Sequence, residues 1–141
     1  MAFEHDLQIA IYGALNTNLS APVFDHVPQK QSYPYVVIGE DNFNDWSTDD
    51  KDGFVAIVNL HVWDRPKGTS GKRGKALTKI IQGEIYDILQ RSNFPIGDYG
   101  NPGMSFEYSD VFMDTDGITY HGVQRFRVNF AEKNEFTLGN C

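Results

Sequence analysis

The stretch most suggestive of chemistry is glycine-rich and basic: Gly68-Thr69-Ser70-Gly71-Lys72-Arg73-Gly74-Lys75-Ala76. A phosphate-binding loop uses backbone amides to cradle phosphates, a lysine to reach them and a hydroxyl to hold magnesium. Here five residues separate Gly68 from Gly74, where that motif has four. Ala76 also stands where the hydroxyl is needed. The segment therefore reads as an ordinary loop. The histidines, His5, His26, His61 and His121, are widely dispersed. No pair has the spacing that aims two imidazoles from one helix at a metal. His61 and His121 fall on strand-like segments and could meet across a sheet, with a half-buried structural role as the plainer expectation. Asp110, Asp114 and Asp116 flank a turn, where aspartate bonds nearby amides. Asp45, Asp49, Asp50 and Asp52 lack the spacing and final glutamate of a calcium loop. There is no serine in a nucleophile elbow. The single cysteine, Cys141, excludes an internal disulfide, makes thiol catalysis or a cysteine metal site improbable and fits a reducing compartment. Neither an active site nor a metal or cofactor is expected.

The elements that would position these residues follow from periodicity. Phe3, Leu7, Ala10, Ile11, Ala14 and Leu15 recur at steps of three and four, a helix that Asn16 to Pro22 ends. Tyr35 to Glu40 is rich in β-branched and aromatic residues and reads as a strand, with Pro34 at its start. Asp41 to Asp52 reads as a polar connection. Phe54 to Trp63 is the clearest strand, with Phe54, Ala56, Val58, Leu60 and Val62 on one face. Leu77, Ile80, Ile81, Ile85, Ile88 and Leu89 predict a second helix with one apolar stripe. Met104, Phe106, Tyr108 and Phe112 are expected to share one face of a strand. Tyr120, Phe126, Val128 and Phe130 are expected to share one face of the next. Asp116-Gly117 between these two is a hairpin signal. The fold class this predicts is α+β: an antiparallel sheet of about four strands with two amphipathic helices packed on one face. Residues 1–141 read as a single domain, with a core over 3–130 and a tail or arm over 131–141.

Composition narrows the function. The chain has 141 residues and a net charge of -7, from 19 acidic and 12 basic side chains, so bulk attraction to nucleic acid is not expected. No apolar run approaches the roughly 20 residues that span a bilayer, and the opening residues lack the pattern of a secretory leader. Charge position says more. Glu40 to Asp52 holds six acids and one lysine, whereas Arg65 to Lys79 holds six bases and no acid. Two solvated loops would give this pattern. The sharper reading is complementarity between neighbouring copies, with Asp45, Asp49 and Asp50 facing Lys72, Arg73 and Lys75. Trp46, in the acidic connection, is either tucked over the domain edge or held for that interface.

Phe24-x-x-Val27-Pro28, Tyr33-Pro34-Tyr35-Val36-Val37-Ile38-Gly39-Glu40 and Asp45-Trp46-Ser47-Thr48 come in order along the chain. They are followed by Leu60-His61-Val62-Trp63-Asp64-Arg65, Ile85-Tyr86-Asp87-Ile88-Leu89 and the run from Asp114 to Arg127. Together these resemble the tail-completion or tail-terminator proteins of long-tailed phages and gene transfer agents. The resemblance covers nearly all of residues 3 to 130. It implies a small α+β subunit of the virion, made in the bacterial host cytoplasm and placed at the tail–neck junction. It further implies a homo-oligomeric ring, usually a hexamer, that caps the tail tube protein and joins it to a head or neck connector protein. DNA would pass through the lumen without specific binding, and no catalysis, cofactor or membrane is implied. A neck adaptor ring at the portal is the alternative within this class, and a small enzyme or ligand-binding domain is the alternative outside it. The loops over Gly68–Gly74 and Phe94–Gly103 look longer than the pattern, and the tail after Ala131 extends past it.

Overall fold

The structure, a computed structural model, describes residues 2–45, 53–66, 75–91 and 103–131. Its elements in chain order are α1 (Ala2–Asn18), β1 (Val23–Phe24), β2 (Tyr35–Asp45), β3 (Gly53–Asp64), α2 (Ala76–Arg91), β4 (Gly103–Met113) and β5 (Tyr120–Ala131). The strands form one sheet in the order β1-β2-β3-β5-β4. Four strands pair antiparallel, and β1 adds a short parallel edge through Val23↔Val36 and Phe24↔Val37. The architecture is thus the α+β arrangement that the periodicity predicts, with a fifth, two-residue strand. So short a strand carries no periodicity to read.

The alternation of β3 and β5 builds the core. Ala56, Val58, Leu60 and Val62 on β3 are buried, as are Gly122, Gln124, Phe126 and Val128 on β5. The register pairs Leu60 with Gln124 and Val58 with Phe126, so these side chains share one face. Both helices cover that face. Leu7, Ile11 and Leu15 of α1 and Ile81, Ile85 and Leu89 of α2 join the strand residues in one apolar cluster. Burying each such side chain contributes about 1.5–3 kcal/mol. Glu84 of α2 ties that helix to the chain just after α1: its carboxylate accepts hydrogen bonds from the Ser20 amide and hydroxyl, each at 2.9 Å.

Three expectations need correction. Ile80, assigned to the apolar stripe of α2, is 58% exposed; the buried row is Ile81, Ile85 and Leu89, at steps of four. The segment Asp41–Asp45, read as connection, continues β2 after a register shift between Ile38 and Asp41. The polar composition hid it because an irregular edge-side strand has no clean alternation. The third concerns β4. A register shift between Phe106 and Tyr108 inserts an extra residue, and a single inserted residue moves everything beyond it to the opposite face. Met104 and Phe106 therefore face the helices. Tyr108 and Phe112 lie on the outer face instead, opposite Arg125 and His121, while Val111 opposite Gly122 takes the buried phase.

Helix and sheet approach closely at Gly122. A Cβ there would stand 2.7 Å from Gln82 Nε2 and 2.8 Å from Thr78 Cγ2. The Gln82 amide can swing away only by giving up its bonds to the Asp110 and Val123 carbonyls, and the β-branched Thr78 side chain has few other rotamers to take. We expect Gly122→Ala to destabilise the protein by about 1–3 kcal/mol. Gly13→Ala, inside α1 with open space around it, should instead stabilise by up to about 1 kcal/mol. Denaturant unfolding of both variants checks this pair of opposite signs.

Candidate functional site

The outer face of the sheet has no helix over it among the described residues, and its side chains are ordered by register. Tyr35 lies opposite Trp63, Trp63 opposite His121, and His121 opposite Phe112. One aromatic row thus crosses β2, β3, β5 and β4. Trp63 stacks on His121 with ring centroids 3.8 Å apart and planes 10° from parallel, and Phe112 meets His121 edge-on at 4.9 Å. His61, two residues from Trp63 on the same face, brings Nδ1 to 2.7 Å from His121 Nε2. One ring donates and the other accepts, so the two histidines do meet across the sheet. Gly39 makes room for this: a Cβ there would collide with the His61 ring. Farther along, Arg125 lies over the Tyr108 ring at 5.6 Å and donates to Asn59 Oδ1 at 3.2 Å. Arg127 pairs with Glu107 at 3.5 Å. The described part of this face is aromatic and polar, and Arg125, Arg127 and Glu107 on it are engaged.

The β4–β5 turn is held as firmly. Asp114 N–H donates to the Thr119 carbonyl at 2.7 Å, and Gly117, at φ +77°, donates to the Asp114 carbonyl. Asp116 accepts from the Thr119 hydroxyl at 2.6 Å and from the Ile118 and Thr119 amides at 2.8 and 2.9 Å. Arg65 adds an ion pair to Asp116 at 3.3 Å, donates to the Thr119 hydroxyl and lies 4.8 Å over the Tyr33 ring. The Thr119 hydroxyl bond, followed by these amides and the Arg65 charge, lowers the Asp116 pKa to about 2. The tip so held presents Met113 and Ile118, 47% and 54% exposed.

Concave surfaces lie elsewhere among the described residues. A groove of about 510 Å³ runs between α2 and β4, bordered by Lys75, Lys79, Gln82, Tyr86, Ser109 and Asp110. Its amides are structural. Gln82 Nε2 reaches the carbonyls of Asp110 and Val123 at 3.3 and 3.4 Å, and Gln124 Nε2 donates to the Gln82 carbonyl at 3.1 Å. A smaller groove of about 280 Å³ lies between α1 and β1 and is mainly apolar. Among the described residues no three histidines, cysteines or acids gather as a metal cage, and no helix is long and apolar enough to cross a membrane.

Of the residues singled out for an interface, Trp46, Asp49, Asp50, Lys72 and Arg73 lie outside the described residues. Asp45 is the last residue of β2, in register with Phe54. Lys75 is exposed one residue before α2, and its carbonyl accepts the Lys79 amide at 3.0 Å. The aromatic row escaped sequence reasoning because the β4 register shift scrambles its phase; the alternation of Trp63 and His61 with buried neighbours was the available signal.

The family described as Tail completion protein gp17 matches residues 8–130. The chain belongs to this tail completion family. A relative, Tail completion protein gp17 of Bacillus phage SPP1, is 28% identical over 100 residues, covering 69% of each protein. Among solved structures, a chain of the virion of a native gene transfer agent particle matches with a TM-score of 0.77 at 20% identity, over 92% of this chain and 98% of that one. The structure of the bacteriophage SPP1 gp17 protein matches with a TM-score of 0.45 at 23% identity, over 94% and 87%. The chain is accordingly a structural protein of the tail.

For this tail completion protein the hairpin tip offers a direct check. Asp116 should titrate near pH 2 in a carboxyl-resolved NMR titration, against an ordinary value of about 4. A folded pKa below the unfolded one means the contribution to stability is complete above about pH 4 and is lost as pH falls through about 2. Asp116→Asn should flatten the stability–pH curve in that window. An Asp116 that titrates near pH 4 would contradict the turn geometry.

Proposed function

We propose that this chain forms a ring that terminates the tail tube and joins it to the head or neck of the particle. The observation that carries this reading is the family match across residues 8–130, which takes in β1 to β4, all but the last residue of β5, the whole of α2 and most of α1. The ring is a hexamer, in keeping with the resemblance described above, and its partners are the tail tube protein on one side and a head or neck connector on the other. DNA passes through its lumen. The net charge of -7 suits a lumen that repels the phosphate backbone rather than holding it.

The segregated charges would orient the copies. Lys75 and Lys79 stand at the start of α2, which has no acid in its first turn. Cations there oppose the helix dipole, so their placement favours an acidic neighbour over local stability. The acidic stretch that includes Asp45, Asp49 and Asp50, with Trp46 among them, is the complementary surface on the next copy.

The test is assembly of particles that lack this chain. A terminator that is missing leaves the tube uncapped, so electron micrographs should show tails of irregular, extended length apart from filled heads. Tails of uniform length beside heads that have lost their DNA would contradict the terminator reading and favour a neck adaptor. With the chain present, a Lys72→Ala, Arg73→Ala, Lys75→Ala variant should assemble with a weaker dependence on salt than the parent protein. An unchanged salt dependence would count against the charge pairing.

A further inference from the structure

We propose that Asp116-Gly117 is a latent site of spontaneous backbone modification, and that Thr119 and Arg65 hold it in its unmodified form. The inference is independent of the ring reading above.

An aspartate followed by glycine can close on itself. The glycine amide nitrogen bonds to the side-chain Cγ, and the carboxyl OH leaves as water with the proton of that nitrogen. The product is a five-membered succinimide ring. Water then adds at either ring carbonyl. Opening one C–N bond restores aspartate, and opening the other leaves isoaspartate, with the Cβ methylene moved into the main chain. The atoms are those of the start, and no oxidant or other reactant is needed. Glycine favours the closure because it puts no side chain in the way. The chain has two such pairs, Asp52-Gly53 and Asp116-Gly117, and both residues of the second are among those described.

In the β4–β5 turn the reacting atoms are already engaged. The Gly117 N–H donates to the Asp114 carbonyl at 3.0 Å. Asp116 Oδ1 accepts the Ile118 and Thr119 amides at 2.8 and 2.9 Å. Oδ2 accepts the Thr119 hydroxyl at 2.6 Å and the Arg65 guanidinium at 3.3 Å. Ring closure takes the proton from Gly117, so its bond to Asp114 is lost. It also removes one carboxyl oxygen, and whichever oxygen leaves gives up both of its hydrogen bonds. The partners are themselves held: Thr119 is buried, and Arg65 lies 4.8 Å over the Tyr33 ring.

The same bonds fix the chemical state. Closure draws on the neutral acid, because a hydroxyl can leave as water and the oxygen of a carboxylate cannot. Hydrogen bonds to the ionised form favour that form. With the Asp116 pKa at about 2, the neutral acid is more than about ten-fold scarcer than in the unfolded chain at any pH above about 5. The turn is also a place where the change would be felt. A methylene added between Asp116 and Gly117 would lengthen the connection that the Asp114 amide and Thr119 carbonyl close at 2.7 Å, next to the Met113↔Tyr120 pair that begins the β4–β5 ladder.

The test measures isoaspartate at Asp116 by peptide mapping of the full chain, aged folded and urea-unfolded side by side at mildly acidic pH. The folded chain should modify about ten-fold more slowly than the unfolded chain, or slower still. Thr119→Val and Arg65→Gln each remove part of the hold on Oδ2 and leave the amides on Oδ1 in place. Each variant, shown to be folded by circular dichroism, should modify several-fold faster than the folded parent. The Arg65 side chain is 43% exposed, so Arg65→Gln keeps the test open if Thr119→Val does not fold. A folded parent that modifies at the unfolded rate overturns the proposal. Folded variants that modify at the parental rate overturn it too, and assign the slow rate to the rigidity of the turn alone.

Discussion

The close approach of α2 to β5 at Gly122 is the constraint on which the rest of the structure depends. The missing side chain lets the helix lie against the strand, and that proximity puts Gln82 within reach of the Asp110 and Val123 carbonyls. Gln124 can then donate to the Gln82 carbonyl from inside the core. Two turns farther along α2, Gln90 reaches the Phe106 amide. A single glycine thus fixes the depth of the helix, the position of the outermost long strand and the capping of part of its edge. A helix lifted by one methyl group would loosen all four bonds together.

One-sided coverage follows. With both helices on the inner face, the outer face must satisfy itself. It does so with the aromatic row from Tyr35 to Phe112, the shared hydrogen bond between His61 and His121, and arginines engaged by Tyr108, Asn59 and Glu107. These groups stabilise strand pairing across β2, β3, β5 and β4. The sheet edges are managed too, by a two-residue β1 on one side and side-chain caps on β4 on the other. Such edges discourage indiscriminate strand addition. Among the described residues, exposed apolar side chains also project from the helices and the β4–β5 turn, Ile9, Tyr12, Ile80 and Ile118 among them.

Much of this was legible in the sequence. The alternation over Ala56–Val62 and Phe126–Val128 identified the core strands, and the Leu7–Ile11–Leu15 and Ile81–Ile85–Leu89 rows identified both helices, because long segments carry a strong period. The possible meeting of His61 with His121 was visible once both were placed on strands. The β4 face was not, since an inserted residue at Glu107 leaves each half regular and only the joint irregular. Nor was the role of Gly122, because a close approach depends on a helix some forty residues earlier. The Asp116-Gly117 signal marked the turn, but nothing in it announced that Arg65, on the far side of α2 in sequence, would clamp it.

The most direct test of the account is a reconstruction, by electron microscopy, of the tail–head junction of particles that contain this chain. A closed ring of this fold should stand at the end of the tail tube, with helices and sheet recognisable in every copy. Density for this fold elsewhere in the particle, or as isolated copies without a ring, would contradict it.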